Sequence, residues 1–101
     1  MSPLEKIYVK EYAQELLRLA KSDYQAAIVL HQSKQVREEI TLFHIHQAVE
    51  KVLNAVLCWR EQAVPLAHDL LTIIQKMDPA GLPPDALALQ DLTPYGTVRR
   101  Y

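Results

Sequence analysis

The amino-acid sequence predicts a small all-α domain, and three observations carry that expectation. Apolar residues recur at helical spacing through two long stretches, from about Lys10 to Gln32 and from about Arg37 to Gln62. The second of these contains neither Gly nor Pro. The whole chain has only two glycines in 101 residues, which argues against a turn-rich β fold and against a glycine-rich phosphate loop.

In the first stretch Ala13, Leu16, Leu17, Ala20, Tyr24, Ala27 and Ile28 follow the i, i+3, i+4, i+7 pattern of one helical face, with Glu15, Arg18, Lys21 and Gln25 opposite. His31-Gln32-Ser33-Lys34-Gln35 has no apolar residue and reads as a connection. In the second stretch Ile45, Ala48, Val49, Val52, Ala55, Val56 and Trp59 keep helical spacing, and Leu42 and Leu53 widen the stripe. An apolar arc that broad predicts the central helix of a bundle, with Val52, Val56 and Trp59 in the core. Cys58 beside them reads as a small, half-buried side chain with nothing to activate it. Pro65 marks a break, after which Leu70, Ile73, Ile74 and Met77 share a face of a third helix with His68-Asp69 in its first turn. Residues 77–81 read as a loop. Pro83-Pro84 is suited to opening a short fourth helix through Leu87 to Leu92, which Thr93-Pro94 interrupts.

Composition excludes several classes. Eleven Lys and Arg against twelve Asp and Glu give a net charge of −1, which does not suit a domain that holds nucleic acid by bulk charge. The lone Cys58 rules out a disulfide framework within the chain and fits a reducing cytoplasm. The N-terminal residues lack the apolar stretch of a signal peptide, and the longest apolar runs, Ala26–Leu30 and Ala55–Trp59, are too short to span a bilayer. The expectation is a single cytoplasmic domain over residues 1–101.

The polar strip of the central helix carries His44, Gln47, Glu50, Lys51 and Asn54, within roughly one third of the circumference at 3.6 residues per turn. It reads as a solvated face, as groups pairing internally with His68 or Asp69, or as a ligand or dimer surface. His44 and His46 stand about 200° apart around the helix and cannot hold one metal ion together. His44 and His68 could approach across two helices, but no carboxylate or cysteine cluster completes a set. Neither metal nor cofactor is expected.

The string Phe43-His44-Ile45-His46-Gln47-Ala48-Val49-Glu50-Lys51-Val52-Leu53-Asn54-Ala55 closely resembles the signature of the HEPN family of helical bundles. The likeness extends to Leu19–Leu30 with Asp23, to His68-Asp69-Leu70 and to Arg100-Tyr101, and so runs from about residue 10 to residue 101. It implies an antiparallel up-and-down bundle of four or five helices that dimerises. It also implies frequent partnership with a minimal nucleotidyltransferase, often as a toxin–antitoxin or nucleotide-linked stress module. Some members are metal-independent ribonucleases; others bind nucleotide or protein without chemistry. Ala67 stands where relatives carry a Thr or Ser to cap the third helix, and His46 where many carry Gln. The family's last long helix follows its Arg-Tyr-Pro region, so here the last helix is expected to be short or missing.

The ribonuclease members use Arg, four to six residues, then His: a guanidinium to hold phosphoryl oxygens and an imidazole to exchange a proton near neutral pH. Arg37 and His44 meet that spacing at the start of the central helix, whereas the family places its pair late in the bundle. Arg99 and Arg100 are late enough, but no His follows them. Three functions follow in order: a homodimeric partner of a minimal nucleotidyltransferase that binds nucleotide or protein, a ribonuclease toxin acting on RNA, and a structural adaptor. The candidate residues are Arg37, His44, Gln47, Glu50, Lys51, His68, Asp69, Arg99, Arg100 and Tyr101, with the segment Tyr95–Tyr101 near the dimer contact.

Overall fold

A computed structural model describes residues 3–62, 64, 69–77 and 86–96. Among them there is no strand. Helix α1 runs over Pro3–Gln32, α2 over Glu38–Trp59 and α3 over Leu70–Gln75, followed by a 3-10 helix over Ala86–Tyr95. This is the all-helical bundle that the periodicity predicts.

Helices α1 and α2 pair antiparallel, as a five-residue connection requires. Lys10 lies beside Trp59, the Cys58 thiol meets the backbone of Ala13, and Asp23 meets His44 and Lys51. The seam is built from small residues: Ala13, Ala20 and Ala27 of α1 are buried with Leu16, and Thr41, Ala48, Ala55 and Cys58 of α2 are buried with them. Small side chains at this spacing let two helix axes approach closely. Thirty residues at 1.5 Å rise make α1 ~45 Å long, which accounts for most of the molecule's 50 Å long axis.

The larger apolar side chains are on the far side of α2. Leu57, Leu70, Ile73, Ile74 and Met77 form a buried cluster, and Val49, Leu53, Val56, Val64, Leu89 and Leu92 pack against it. Helix α2 is therefore the middle layer, between α1 on one side and α3 with the 3-10 helix on the other.

Several ends differ from the sequence-based expectation. Helix α1 begins at Pro3, two turns before Lys10, because Pro is tolerated at the first helical position. Helix α2 stops at Trp59, not Gln62. Glu61 takes φ 60°, its N–H bonds the Cys58 carbonyl at 3.0 Å, and the Gln62 N–H reaches the Leu57 carbonyl at 2.8 Å. That is a Schellman ending, made here without glycine at its left-handed position. Asp69 is the N-cap of α3, not part of its first turn: Oδ1 accepts from the Leu71 N–H at 3.0 Å and Oδ2 from the Thr72 hydroxyl at 3.3 Å. Ala67 lies outside the described residues. The fourth helix is 3-10, and Thr93-Pro94 does not interrupt it. The Thr93 hydroxyl accepts the Leu70 N–H at 3.3 Å and ties the segment to the start of α3.

The apolar arc is also rotated. Val52 and Trp59 are 41% and 51% exposed, and Leu17, Tyr24 and Ile28 are exposed too, while Leu57, outside the predicted core, is fully buried. The stripe of α2 faces two neighbours to either side of Val52 and neither covers it. Trp59 is not a core residue; the Lys10 ammonium sits 5.3 Å from its ring centre. Among the described residues no helix is long and apolar enough to cross a membrane.

Candidate functional site

The polar strip of α2, for which the sequence leaves open a solvated face, internal pairing and a ligand or dimer surface, is a seam held from two sides. On the α1 side Asp23 bridges two turns of α2. Its Oδ1 accepts from His44 Nδ1 at 3.2 Å and its Oδ2 from the Lys51 ammonium. All three side chains are less than a third exposed. Because an ionised carboxylate only accepts, the contact puts the proton of His44 on Nδ1 and leaves Nε2 as the ring's other nitrogen. Phe43 packs edge-on to the same imidazole, with 5.3 Å between ring centres.

On the opposite side, α2 turns His46 and Glu50 toward the 3-10 helix. His46 is wholly buried, and its Nδ1 lies 3.4 Å from Gln47 Nε2 and 3.6 Å from Glu50 Oε2. Gly96 rests on the ring: a Cβ there would stand 2.8 Å from both Cε1 and Nε2. Glu50 is buried as well, so the reading of this position as solvated is corrected. Asn54 lies between the two sides, and its Oδ1 is buried with no hydrogen-bond partner among the described residues.

The internal pairing weighed for this strip is present, with a partner other than the third helix. Asp23 of α1 supplies the carboxylate, whereas Asp69 caps its own helix. Asp23 falls at i+3 from Ala20 and i−4 from Ala27, so it stands in the buried stripe of α1; an acid in an apolar stripe was the legible signal. Arg37 is the exposed N-cap residue of α2, in extended conformation at φ −64° and ψ 143°. It lies two turns before His44 on the same side, so the structure brings His44 together with Asp23 and Lys51. His68, Arg99, Arg100 and Tyr101 lie outside the described residues, as does any pairing of His44 with His68. No group of three or more His, Cys, Asp or Glu that could hold a metal occurs among the described residues.

Cys58 is buried, not half-buried, and desolvation raises its thiol above the ordinary range, against a smaller lowering from the Ala13 backbone. On exposed α1, Arg18 Nε donates to Glu15 Oε2 at 2.9 Å, holding that carboxyl below its usual range.

One flank of the helix pair is apolar and open. Leu17, Tyr24 and Ile28 of α1 line up beside Ile45, Val52 and Trp59 of α2, and at the Ile28 end the flank opens into a cleft of about 320 Å³. Its lining includes Tyr24, Ile28, Leu42 and Ile45, together with the exposed His31 and Glu38.

A family model for the HEPN domain matches residues 13–101. Comparison with curated proteins and with solved structures returns no match.

Proposed function

This chain belongs to the HEPN domain family, and from that premise we propose that it is a partner protein: two copies pair, and the dimer acts with a minimal nucleotidyltransferase in a toxin–antitoxin or nucleotide-linked module of the cytoplasm. The observation that carries this reading is the open apolar flank. Five of its side chains, Leu17, Tyr24, Ile28, Val52 and Trp59, are between 41% and 58% exposed in one array. Contiguous apolar surface of that kind marks an interaction site, and a two-fold pair is the commonest closed assembly.

The polar seam does not separate this reading from ribonuclease action: Asp23 holds His44 through Nδ1 and leaves Nε2, which suits an oriented imidazole as well as a structural one. Gln47, Lys51 and Asn54 remain the surface at which a nucleotide would meet α2.

Co-expression with the product of the neighbouring reading frame tests the partnership: a minimal nucleotidyltransferase encoded there should co-purify with this chain at fixed stoichiometry. Light scattering at micromolar concentration should give twice the 11.6 kDa chain mass, and Trp59→Glu with Val52→Glu should return it to one. A folded chain that stays monomeric and does not co-purify refutes the proposal. Efficient RNA cleavage by the purified chain, abolished by His44→Ala, replaces it with the ribonuclease reading.

A further inference from the structure

We propose that the second copy docks on the open flank with its ends exchanged, so that Trp59 of each copy enters the cleft of the other; the inference deepens the pairing proposed above and rests on it. The flank is a ladder. Lys10, Leu17, Tyr24 and His31 follow at seven-residue intervals on α1, and Trp59, Val52, Ile45 and Glu38 do so in the opposite sense on α2. Seven residues make nearly two full turns, so each set stays within ~60° of one side of its helix and steps ~10 Å along it. Contacts fix the rungs at both ends: the Lys10 ammonium stands over the Trp59 ring, and Tyr24, Ile45, His31 and Glu38 line one cleft. Leu17 and Val52, both exposed, fall between them.

The two ends of this ladder differ in shape and in charge. One end presents a half-exposed indole with an ammonium beside it. The other is concave, a cleft of about 320 Å³ with apolar Ile28 and Leu42 in its lining and the exposed carboxylate of Glu38 among them. Two copies facing each other are related by a two-fold axis that lies in the plane between them. With that axis along the helices, like ends meet: cleft faces cleft, both stay empty, and the Glu38 ends approach each other. With the axis across the helices, unlike ends meet. An indole then faces each cleft, and Lys10 reaches the rung that holds the partner's Glu38. The point midway between Trp59 and the cleft falls between Val52 and Ile45, so the two middle rungs of each copy cover those of the other.

The area is sufficient. Aromatic side chains present ~150–250 Å² each and aliphatic ones somewhat less, and Leu17, Tyr24, Ile28, Val52 and Trp59 are 41–58% exposed. The five together offer on the order of 500 Å² per copy, and two such faces with their polar margins reach the ~1,200 Å² at which specific interfaces begin. A central aromatic anchor seated in a partner's pocket is also the usual form of an energetic hot spot.

The test is the relative orientation of the two copies. In a Cys58→Ala background, one chain carries Lys10→Cys and another Glu38→Cys, and a short bismaleimide is added to each alone and to their mixture. The mixture should yield cross-linked pairs containing one of each, several-fold more than either chain forms with itself. Separately, Lys10→Glu or Glu38→Lys alone should weaken the dimer several-fold by light scattering, and the two together in one chain should restore it. Self-linked chains with no mixed product overturn the proposal, as does a single charge reversal that leaves the dimer unchanged or tightens it. In those cases light scattering still shows a dimer, so the pairing stands and only the exchange of ends fails. A chain that is monomeric throughout removes the pairing itself and the exchange with it.

Discussion

Replacing Gly96 with alanine tests the closure of the 3-10 helix onto α2. The φ of Gly96 is not positive, so the backbone there accepts an L side chain without strain. In an open site the change would stabilise by about 0.4–1 kcal/mol, through a less flexible unfolded chain. The structure reverses that sign. The added methyl would stand 2.8 Å from Cε1 and Nε2 of His46 and 3.3 Å from Nδ1, and the ring has nowhere to go, being 0% exposed. Overpacking of a closed site costs about 1–3 kcal/mol, leaving a net loss of ~1–2 kcal/mol after the entropic gain. For a domain of this size that is a fall in Tm of roughly 5–15 °C. Thermal and urea melts of Gly96→Ala, His46→Ala and the double variant close the cycle. With the ring removed, the methyl enters vacated space and Gly96→Ala should become neutral or stabilising, a coupling of about 1 kcal/mol or more. A Gly96→Ala chain as stable as the parent, with no coupling to His46, would show that the 3-10 helix does not close on this ring.

The rotated core predicts that Leu57→Ala costs about 2–5 kcal/mol, whereas Val52→Ala, at 41% exposure, costs under ~1 kcal/mol in the monomer; equal urea midpoints for the two would place the core elsewhere. Asp23→Ala removes the acceptor shared by His44 and Lys51 and should lower stability by about 1–3 kcal/mol, most of it absent when His44→Ala and Lys51→Ala are already in place. Glu61 sits at φ 60°, where glycine is relieved of the Cβ clash, so Glu61→Gly should raise the unfolding free energy by about 0.5–1 kcal/mol; an unchanged melt would contradict the Schellman ending. The Cys58 thiol is raised by burial, so on raising the pH the unfolded chain loses its proton first. The stability this group confers is whole below the unfolded value, about 8.5, and declines above it toward the higher folded value. Urea midpoints between pH 8 and 10 should fall, and fall less in Cys58→Ala.

Local physics made the helices legible. Period and the absence of breakers in α2 determine where backbone hydrogen bonds can run, and those bonds depend on neighbours a few residues away. The sequence also placed Ala13, Leu16, Ala20 and Ala27 together, and the HEPN signature, carried by the string from Phe43 to Ala55, was readable from its residue types and spacing. Tertiary structure decided which part of each stripe is buried. On α2 the apolar residues span about half the circumference, so periodicity alone cannot say whether the arc centres on Val52 or divides around it. Two covering layers, one of small residues against α1 and one of large residues against α3, divide it and leave Val52 and Trp59 open. The same division turned a strip that looks solvated into a seam, since Asp23 reaches His44 and Lys51 from twenty-one and twenty-eight residues away, and Gly96 reaches His46 from fifty. A charge at i says nothing of what faces it from another helix; only the packing of α1 and the 3-10 helix on either side of α2 supplies the partner.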